Sequence, residues 1–342
     1  MPEALKTEQT IREMPLVTFV LVAYNHERYI KESIESALAQ TYRPIQFIFS
    51  DDCSTDRTYE LMCDAVKKYE GKENILLNRN EKNIGVVNHL NKLFMELADG
   101  KYFIQLGGDD ITTPDRTAKV IDCFMSTGAS MVAINPMMID EAGVETGARL
   151  LLKPPIGLLK FDEYFLKGAP FFGGDLDREL FDVYGPMKDS ARNEDRILPF
   201  RASTLGGIAY LTDHVYYYRE HNSNMSFWVK MKRDPINRFR YETAFMRNEL
   251  QNLANFLQEV RESYQGSNKN EMLTQIETIY NRKRFEVALL ESGFLPQLSL
   301  VPTAFRIGRS SREVLRLLLI CVSPKLYRVL NAIRQSLSVA FS

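Results

Sequence analysis

The sequence predicts an α/β fold: a Rossmann-like, mostly parallel sheet flanked by helices, with a helical C-terminal extension. Three observations predict it. Short apolar runs alternate with helix-period segments through residues 16–135. The runs are continuous, as strands buried on both faces require. From about 235 to 292 the pattern is helical alone, with a polar break at Gln265–Asn270.

The elements follow in order. Leu16–Ala23 reads as a strand, and Ile30, Ile34, Ala37 and Leu38 then form one helical stripe. Ile45–Phe49 is a second strand, followed by a helix marked by Met62, Val66 and Tyr69. Ile75–Leu77 is a third strand. Val87, Leu90, Phe94 and Leu97 mark a helix that Gly100 would close at C′. Tyr102–Leu106 is a fourth strand. Thr113-Pro114 reads as an N-cap with proline at N1, opening a helix that ends near Gly128. Ser130–Ile134 is a further strand, Glu141-Ala142-Gly143 a hairpin turn, and Gly207–Leu211 and Val215–Arg219 late strands. A β-α-β-α order implies a parallel sheet, whose ligand belongs at the carboxyl ends of the strands.

With 342 residues, 45% apolar and 25% charged, the chain has room for two packed lobes. A formal net charge of −1 supplies no field to recruit nucleic acid. Cys53, Cys63, Cys123 and Cys321 lack metal-ligand spacing and suit a reducing compartment. Met1–Met14 has no secretory pattern, and the apolar run Leu317–Val322 is too short to cross a bilayer. The expected location is cytoplasmic.

The chemistry sits on strand ends. No G-x-G-x-x-G follows the first strand, which argues against a nicotinamide or flavin enzyme. The second strand ends in Asp51-Asp52-Cys53-Ser54-Thr55-Asp56, an acceptor-rich patch suited to nucleobase N–H and ribose hydroxyls, although Ser54 or Asp56 could serve as a helix cap. The fourth ends in Gly107-Gly108-Asp109-Asp110. A carboxylate pair there can hold a hard divalent cation with diphosphate oxygens, and glycines allow close backbone approach; turn chemistry alone is the alternative. Glu194-Asp195 is either a base for proton removal or a solvated first turn of a helix. In Tyr216-Tyr217-Tyr218-Arg219-Glu220-His221, His221 could join a metal shell and Arg219 could meet phosphate, or His221 could be structural. His26, His89 and His214 read as structural.

Taken in order, Val17–Asn25, the helix from Glu27 to Gln40, the Gln40-Thr41-Tyr42 turn, Asp51–Asp56, Asn83-Ile84-Gly85, Gly107–Asp110 and Pro114-Asp115-Arg116 resemble the inverting glycosyltransferases of family 2, with the GT-A fold. The resemblance covers about residues 15–225. It implies a catalytic domain over 15–225, with a nucleotide-sugar half at 15–135 and an acceptor half at 136–225. Around it lie a flexible N-terminus (1–14), a helical extension (226–304) and basic amphipathic helices (305–342). It implies that Ala23, Tyr24, Glu27, Asp51, Asp52, Asn83, Gly108 and Asp109 meet the nucleotide-sugar. Asp110 and Asp109 with His221 would hold Mn²⁺ or Mg²⁺, Asp110 most directly. Asp195 would be the base and Glu194 its acceptor-positioning neighbour. Many members carry an acidic residue where this chain has Gly107.

The expected reaction moves a sugar, from a UDP-sugar by default, to a hydroxyl of a glycan or lipid-linked acceptor, in bacterial-type surface polysaccharide or glycolipid assembly. Residues 306–334 carry seven basic side chains against Glu313, a net +6 on an amphipathic pattern. That suits peripheral contact with the inner face of a membrane. The alternatives are a nucleotidyltransferase, which wants a glycine- and basic-rich loop after the first strand, and a non-catalytic scaffold that binds sugar nucleotides.

Overall fold

In the computed structural model the described residues are 14–69, 74–148, 157–166, 173–191, 193–221 and 238–291. The N-terminal tail and the basic segment 305–342 lie outside them. The chain divides into two compact units, Met1–Asp189 with Asn193–Ser223, and Ser190–Arg192 with Asn224–Ser342.

The first unit is built on a seven-stranded sheet. Its strands are β1 (Val17–Ala23), β2 (Ile45–Asp51), β3 (Ile75–Arg79), β4 (Tyr102–Gly107), β6 (Met131–Ile134), β9 (Gly174–Asp177) and β10 (Ile208–Leu211), in the order β10-β6-β9-β4-β1-β2-β3. All pairings are parallel except those of β9, which runs antiparallel between β4 and β6. The helices are α1 (Ile30–Leu38), α2 (Thr58–Lys67), α3 (Val86–Lys92), α4 (Arg116–Thr127), α5 (Glu179–Tyr184) and α6 (Glu194–Thr204). The central strands are apolar on both faces because helices cover both. Phe19, Leu21, Phe47, Phe49, Ile104 and Leu106 are all buried in one core. Each such side chain contributes roughly 1.5–3 kcal/mol through burial.

A second sheet, β5-β11-β7-β8, is made of β5 (Ile111–Thr112), β7 (Met137–Ile139), β8 (Glu145–Ala148) and β11 (Tyr216–Arg219). The β7–β8 hairpin turns where Gly143 takes φ +84° and donates to the Asp140 carbonyl at 3.0 Å. In the second unit, α7 (Arg238–Glu262) and α8 (Lys269–Glu291) form a helical hairpin. Buried Leu253, Phe256, Leu257 and Val260 of α7 and Met272 and Ile276 of α8 give it apolar packing. No helix among the described residues is long and apolar enough to cross a membrane.

Two expected boundaries move. α4 starts at Arg116 because Thr113 and Pro114 are held elsewhere. Thr113 N donates to the Val215 carbonyl at 3.1 Å, and Thr41 N donates to the Pro114 carbonyl at 2.9 Å. Gly100 is not a C′ residue. After α3 the chain makes one wider π turn over Leu93–Leu97 and extends at Ala98. Gly100 is required instead because a Cβ there would fall 2.4 Å from the Thr18 backbone nitrogen.

What matters for the site is register. Ala23 pairs with Asp51 and Val22 with Gly107, so three neighbouring strands end at one level. The second strand's acidic motif leaves on one side of β1, and the fourth strand's on the other.

Candidate functional site

The β1–α1 and β2–α2 loops are joined by reciprocal hydrogen bonds. Asn25 N donates to Ser54 Oγ (2.8 Å), Thr55 N to Asn25 Oδ1 (2.9 Å), His26 N to Thr58 Oγ1 (2.7 Å), Glu27 N to Asp56 Oδ2 (3.1 Å) and Arg57 N to Glu27 Oε2 (3.0 Å). Asn25 and Cys53 take φ values of +58° and +63° to make these crossings. Both the polar run after β1 and the one after β2 therefore have a structural task. Glu27 serves the start of α2, and Asp56 serves Glu27 and Thr58. Tyr24 stands exposed at the loop's outer edge, and Ala23 is buried.

Asp51 and Asp52 are both buried. Asp51 accepts from Ser54 N (3.0 Å) and from the Ser54 hydroxyl, and pairs with Arg79 Nε at 3.2 Å. Asp52 accepts on Oδ1 from Asn80 Nδ2 (2.9 Å) and Ile84 N (3.0 Å), and on Oδ2 from Gly85 N (3.0 Å). Asn83 Oδ1 accepts from Gly85 N at 3.1 Å and is exposed on that loop. These carboxylates draw the loops after β2 and β3 together, with the second oxygen of Asp52 taking one donor.

The corner after β4 is arranged differently. Gly108 N donates to the Val22 carbonyl at 2.8 Å, holding the loop against β1. A Cβ at Gly107 would lie 2.8 Å from both Asp109 Oδ1 and Asp110 Oδ2, so Gly107 clears space for the carboxylates. Asp110 is 4% exposed. Its Oδ1 accepts from Arg219 N at 2.9 Å and its Oδ2 from the Tyr216 hydroxyl. Burial and the Asp109 charge push its carboxyl well above the usual carboxylate range. Asp110, expected to be the most direct ion ligand, thus has a protein donor on each of its oxygens. Asp109, with a side chain 15% exposed, is the open member. Its Oδ2 lies 2.9 Å from His221 Nε2 and 3.6 Å from His26 Nε2. Burial works to raise this carboxyl, but the His221 hydrogen bond and the two imidazoles outweigh it and hold it low.

Arg219 is enclosed, not aimed at an open phosphate site. It is 1% exposed, and its Nη2 meets Glu32 Oε2 at 2.7 Å. Nε donates to the Asp109 carbonyl at 2.8 Å, and Nη1 lies 3.3 Å from the Asp140 and Glu141 carbonyls. Its guanidinium carbon sits 4.9 Å from the Tyr29 ring centroid. It fixes the aspartate loop. His26, read as structural from the sequence, stands at Asp109 instead; its place just beyond the first strand's end was the available signal. His89 is structural, bonded to Ser50 Oγ at 2.5 Å.

Glu194 and Asp195 form a separate acidic pair opening α6. Arg201 at the other end of α6 is fully buried and donates to the carbonyls of Gly185 (2.7 Å) and Pro186 (3.2 Å), fixing α6 against the turn before it. Desolvation by surrounding protein raises both carboxyls, and the Asp195 charge helps take Glu194 up to about 8. Asp195 nonetheless keeps an exposed side.

Among the described residues no three His, Cys, Asp or Glu side chains form a finished ion cage. The donors of Asp109 and His221, one carboxylate and one imidazole, suit a divalent ion that keeps waters and takes diphosphate oxygens.

The Glycosyl transferase family 2 model matches residues 18–176. EpsE of Bacillus subtilis, named as a glycosyltransferase, is 31% identical over 211 residues, which cover 60% of this chain and 73% of EpsE. The chain belongs to glycosyltransferase family 2. It is therefore an enzyme of the glycosyltransferase class, which sets aside both the nucleotidyltransferase and the scaffold alternatives. TuaG of the same organism, named for teichuronic acid biosynthesis, is 32% identical over 135 residues, 37% of this chain and 52% of TuaG. Two further relatives are spanned over 32% and 36% of their lengths. Among solved structures, S. aureus TarS 1–349 with UDP-GlcNAc superposes with TM-score 0.53 at 16% identity, covering 89% of this chain and 79% of TarS. The mannosyltransferase PcManGT of Pyrobaculum calidifontis, with GDP-Man and Mn²⁺, gives 0.52 at 14% identity, covering 95% and 85%. These likenesses show the GT-A fold in this family 2 member.

Proposed function

We propose that this family 2 enzyme transfers a sugar from a nucleoside diphosphate donor, a UDP-sugar first, to a hydroxyl of a glycan or lipid-linked acceptor with inversion at the anomeric carbon. The observation that carries this is the Asp109 corner, where a half-open carboxylate and His221 stand on one side of β1 while the acidic Asp51/Asp52 corner stands on the other. The relatives support the chemistry: TuaG is named for a surface polysaccharide, and TarS and PcManGT are each bound to a nucleotide-sugar. Residues 15–225 are taken as the catalytic domain, with cytoplasmic residence and contact between 305–342 and an anionic membrane as part of the same reading.

In this mechanism Ala23, Tyr24, Asn83 and the remaining acceptor position of Asp52 border the nucleobase and ribose, and the Gly107-Gly108 backbone lies beside the sugar diphosphate. Asp109 and His221 hold Mn²⁺ or Mg²⁺, which when bound supplies positive charge against the departing diphosphate. Asp110, Tyr216 and Arg219 keep Asp109 in place. Asp195 takes the proton from the acceptor hydroxyl as its oxygen attacks, and Glu194, held protonated near neutrality, donates a hydrogen bond that orients the acceptor. Desolvation that raises the Asp195 carboxyl makes it a stronger base.

The test is UDP or GDP release from the corresponding sugar nucleotide with Mn²⁺ present, comparing the parent with Asp195→Asn. A loss of about 100-fold or more in kcat is expected for a removed base. Full turnover in Asp195→Asn would end the base assignment.

A further inference from the structure

We propose that His26 is a second imidazole ligand for the divalent cation at Asp109, making the protein's contribution a His26–Asp109–His221 set; this rests on the reading above that an ion binds at Asp109. In the free protein the His26 ring has Asp109 as a charge partner but no hydrogen bond. Its Nδ1 is buried with no hydrogen-bond partner. Its Nε2 lies 3.6 Å from Asp109 Oδ2, beyond hydrogen-bonding range. The ring is one-fifth exposed, and Nε2 is the nitrogen that faces Asp109.

The surroundings keep the ring there. His26 N is fixed by Thr58 Oγ1 at 2.7 Å, and the carbonyl of His26 accepts from Tyr29 N and Ile30 N at 2.9 Å each, so the residue is set by the start of α1. Gly108 leaves the ring its space, since a Cβ there would fall 2.8 Å from His26 Nδ1. Gly107 contributes no side chain to the corner, and His26 stands where a further donor is wanted.

The separations suit a shared ion. Metal–ligand bonds of about 2.1 Å in an octahedral shell put adjacent ligand atoms about 3 Å apart, and further when the angle opens. His221 Nε2 and His26 Nε2 lie 2.9 and 3.6 Å from the same carboxylate oxygen. The two rings meet edge to face, with centroids 6.5 Å apart, so they address that oxygen from different directions. The three side chains bring their donors to one corner without closing a cage among the described residues, and would hold a cation between them. Two nitrogens beside one carboxylate favour Mn²⁺ over the harder Mg²⁺.

The experiment uses the full chain with Mn²⁺ alone and then with UDP, reading nitrogen couplings by electron spin-echo modulation and affinity by calorimetry, with Mg²⁺ competition. The parent is expected to show two imidazole nitrogens, and His26→Gln and His221→Gln one each. His26→Gln should weaken Mn²⁺ by about tenfold or more while changing Mg²⁺ much less, so the preference narrows. His26→Ala, checked for an unchanged thermal midpoint, guards against misfolding of one variant. If both His26 variants keep the parent's nitrogen count and Mn²⁺ affinity while Asp109→Asn loses the ion, the His26 assignment falls and the Asp109 site stands. If Asp109→Asn also keeps parental affinity, the ion site itself is wrong.

Discussion

The two acidic pairs of this chain look alike in sequence and are used in opposite ways. Asp51 and Asp52 face backbone N–H groups, a hydroxyl, an amide and Arg79, and draw the loops after β2 and β3 into one surface. Asp110 is similarly enclosed, whereas Asp109 turns an open oxygen towards two imidazoles. A carboxylate's role is set by which donors reach it first. Where backbone donors are within reach it becomes a joint; where they are not, it is left for a ligand.

The comparison is broken most forcefully at Asp109. Asp109→Asn should lower kcat/KM by at least 100-fold, about 3 kcal/mol of transition-state stabilisation, with thermal stability nearly unchanged. Steady-state kinetics and a melting curve on the same sample check both halves. Asp52→Ala should do the reverse in kind. It leaves Asn80 Nδ2 and Ile84 N without this acceptor and Gly85 N with Asn83 Oδ1 alone, and should cost about 3 kcal/mol in a urea unfolding series, since charge-assisted bonds each contribute roughly 1.5–3 kcal/mol. An unshifted urea midpoint would mean the loop is held by other contacts.

Asp110→Asn should fall between them. One oxygen still accepts from Arg219 N, and the amide can donate to the Tyr216 oxygen, so activity should drop about tenfold with Mn²⁺ affinity retained, as expected for a supporting residue. Loss of the ion in this variant would return Asp110 to the ligand set. The smallest effect concerns Glu194. Its folded carboxyl titrates at about 8, above the unfolded value near 4.3, so the folded state holds a proton that the unfolded state has released between those limits. The stability associated with it is present below the lower limit and is lost as pH rises through the higher one. Glu194→Gln should therefore raise the melting temperature at pH 8 and scarcely change it at pH 4; an equal shift at both would refute the cause.

The parallel sheet was legible because strands covered on both faces must be largely apolar, as Val17–Ala23 is apart from Thr18 and Ile45–Phe49 apart from Gln46. β9 was not, since Gly174-Asp175-Leu176-Asp177 is short and half acidic. It survives in the sheet because Asp175 is paired with buried Arg116 at 2.7 Å. The acidic pairs were legible as pairs, and their division of labour was not. Asp110 is enclosed by Tyr216 and Arg219, which lie 106 and 109 positions away, and no local pattern announces that. His26 reads as structural in the sequence because a lone histidine has no partner at a telling spacing, and its place beyond the first strand's end is the one signal it offers.

Arg219 ties the start of the chain to its late strands, reaching across 187 positions to Glu32. Contacts this distant form only after much loop entropy has been surrendered, so the Asp109 corner should be among the last parts of the catalytic unit to assemble as it folds. A fragment ending at residue 176, the span of the family match, would carry every aspartate of the two strand-end motifs yet lack Tyr216, Arg219 and His221. Turnover by a freshly refolded sample therefore reports that the chain has closed on itself, and a fluorescence or circular dichroism signal from the early strands would recover before it.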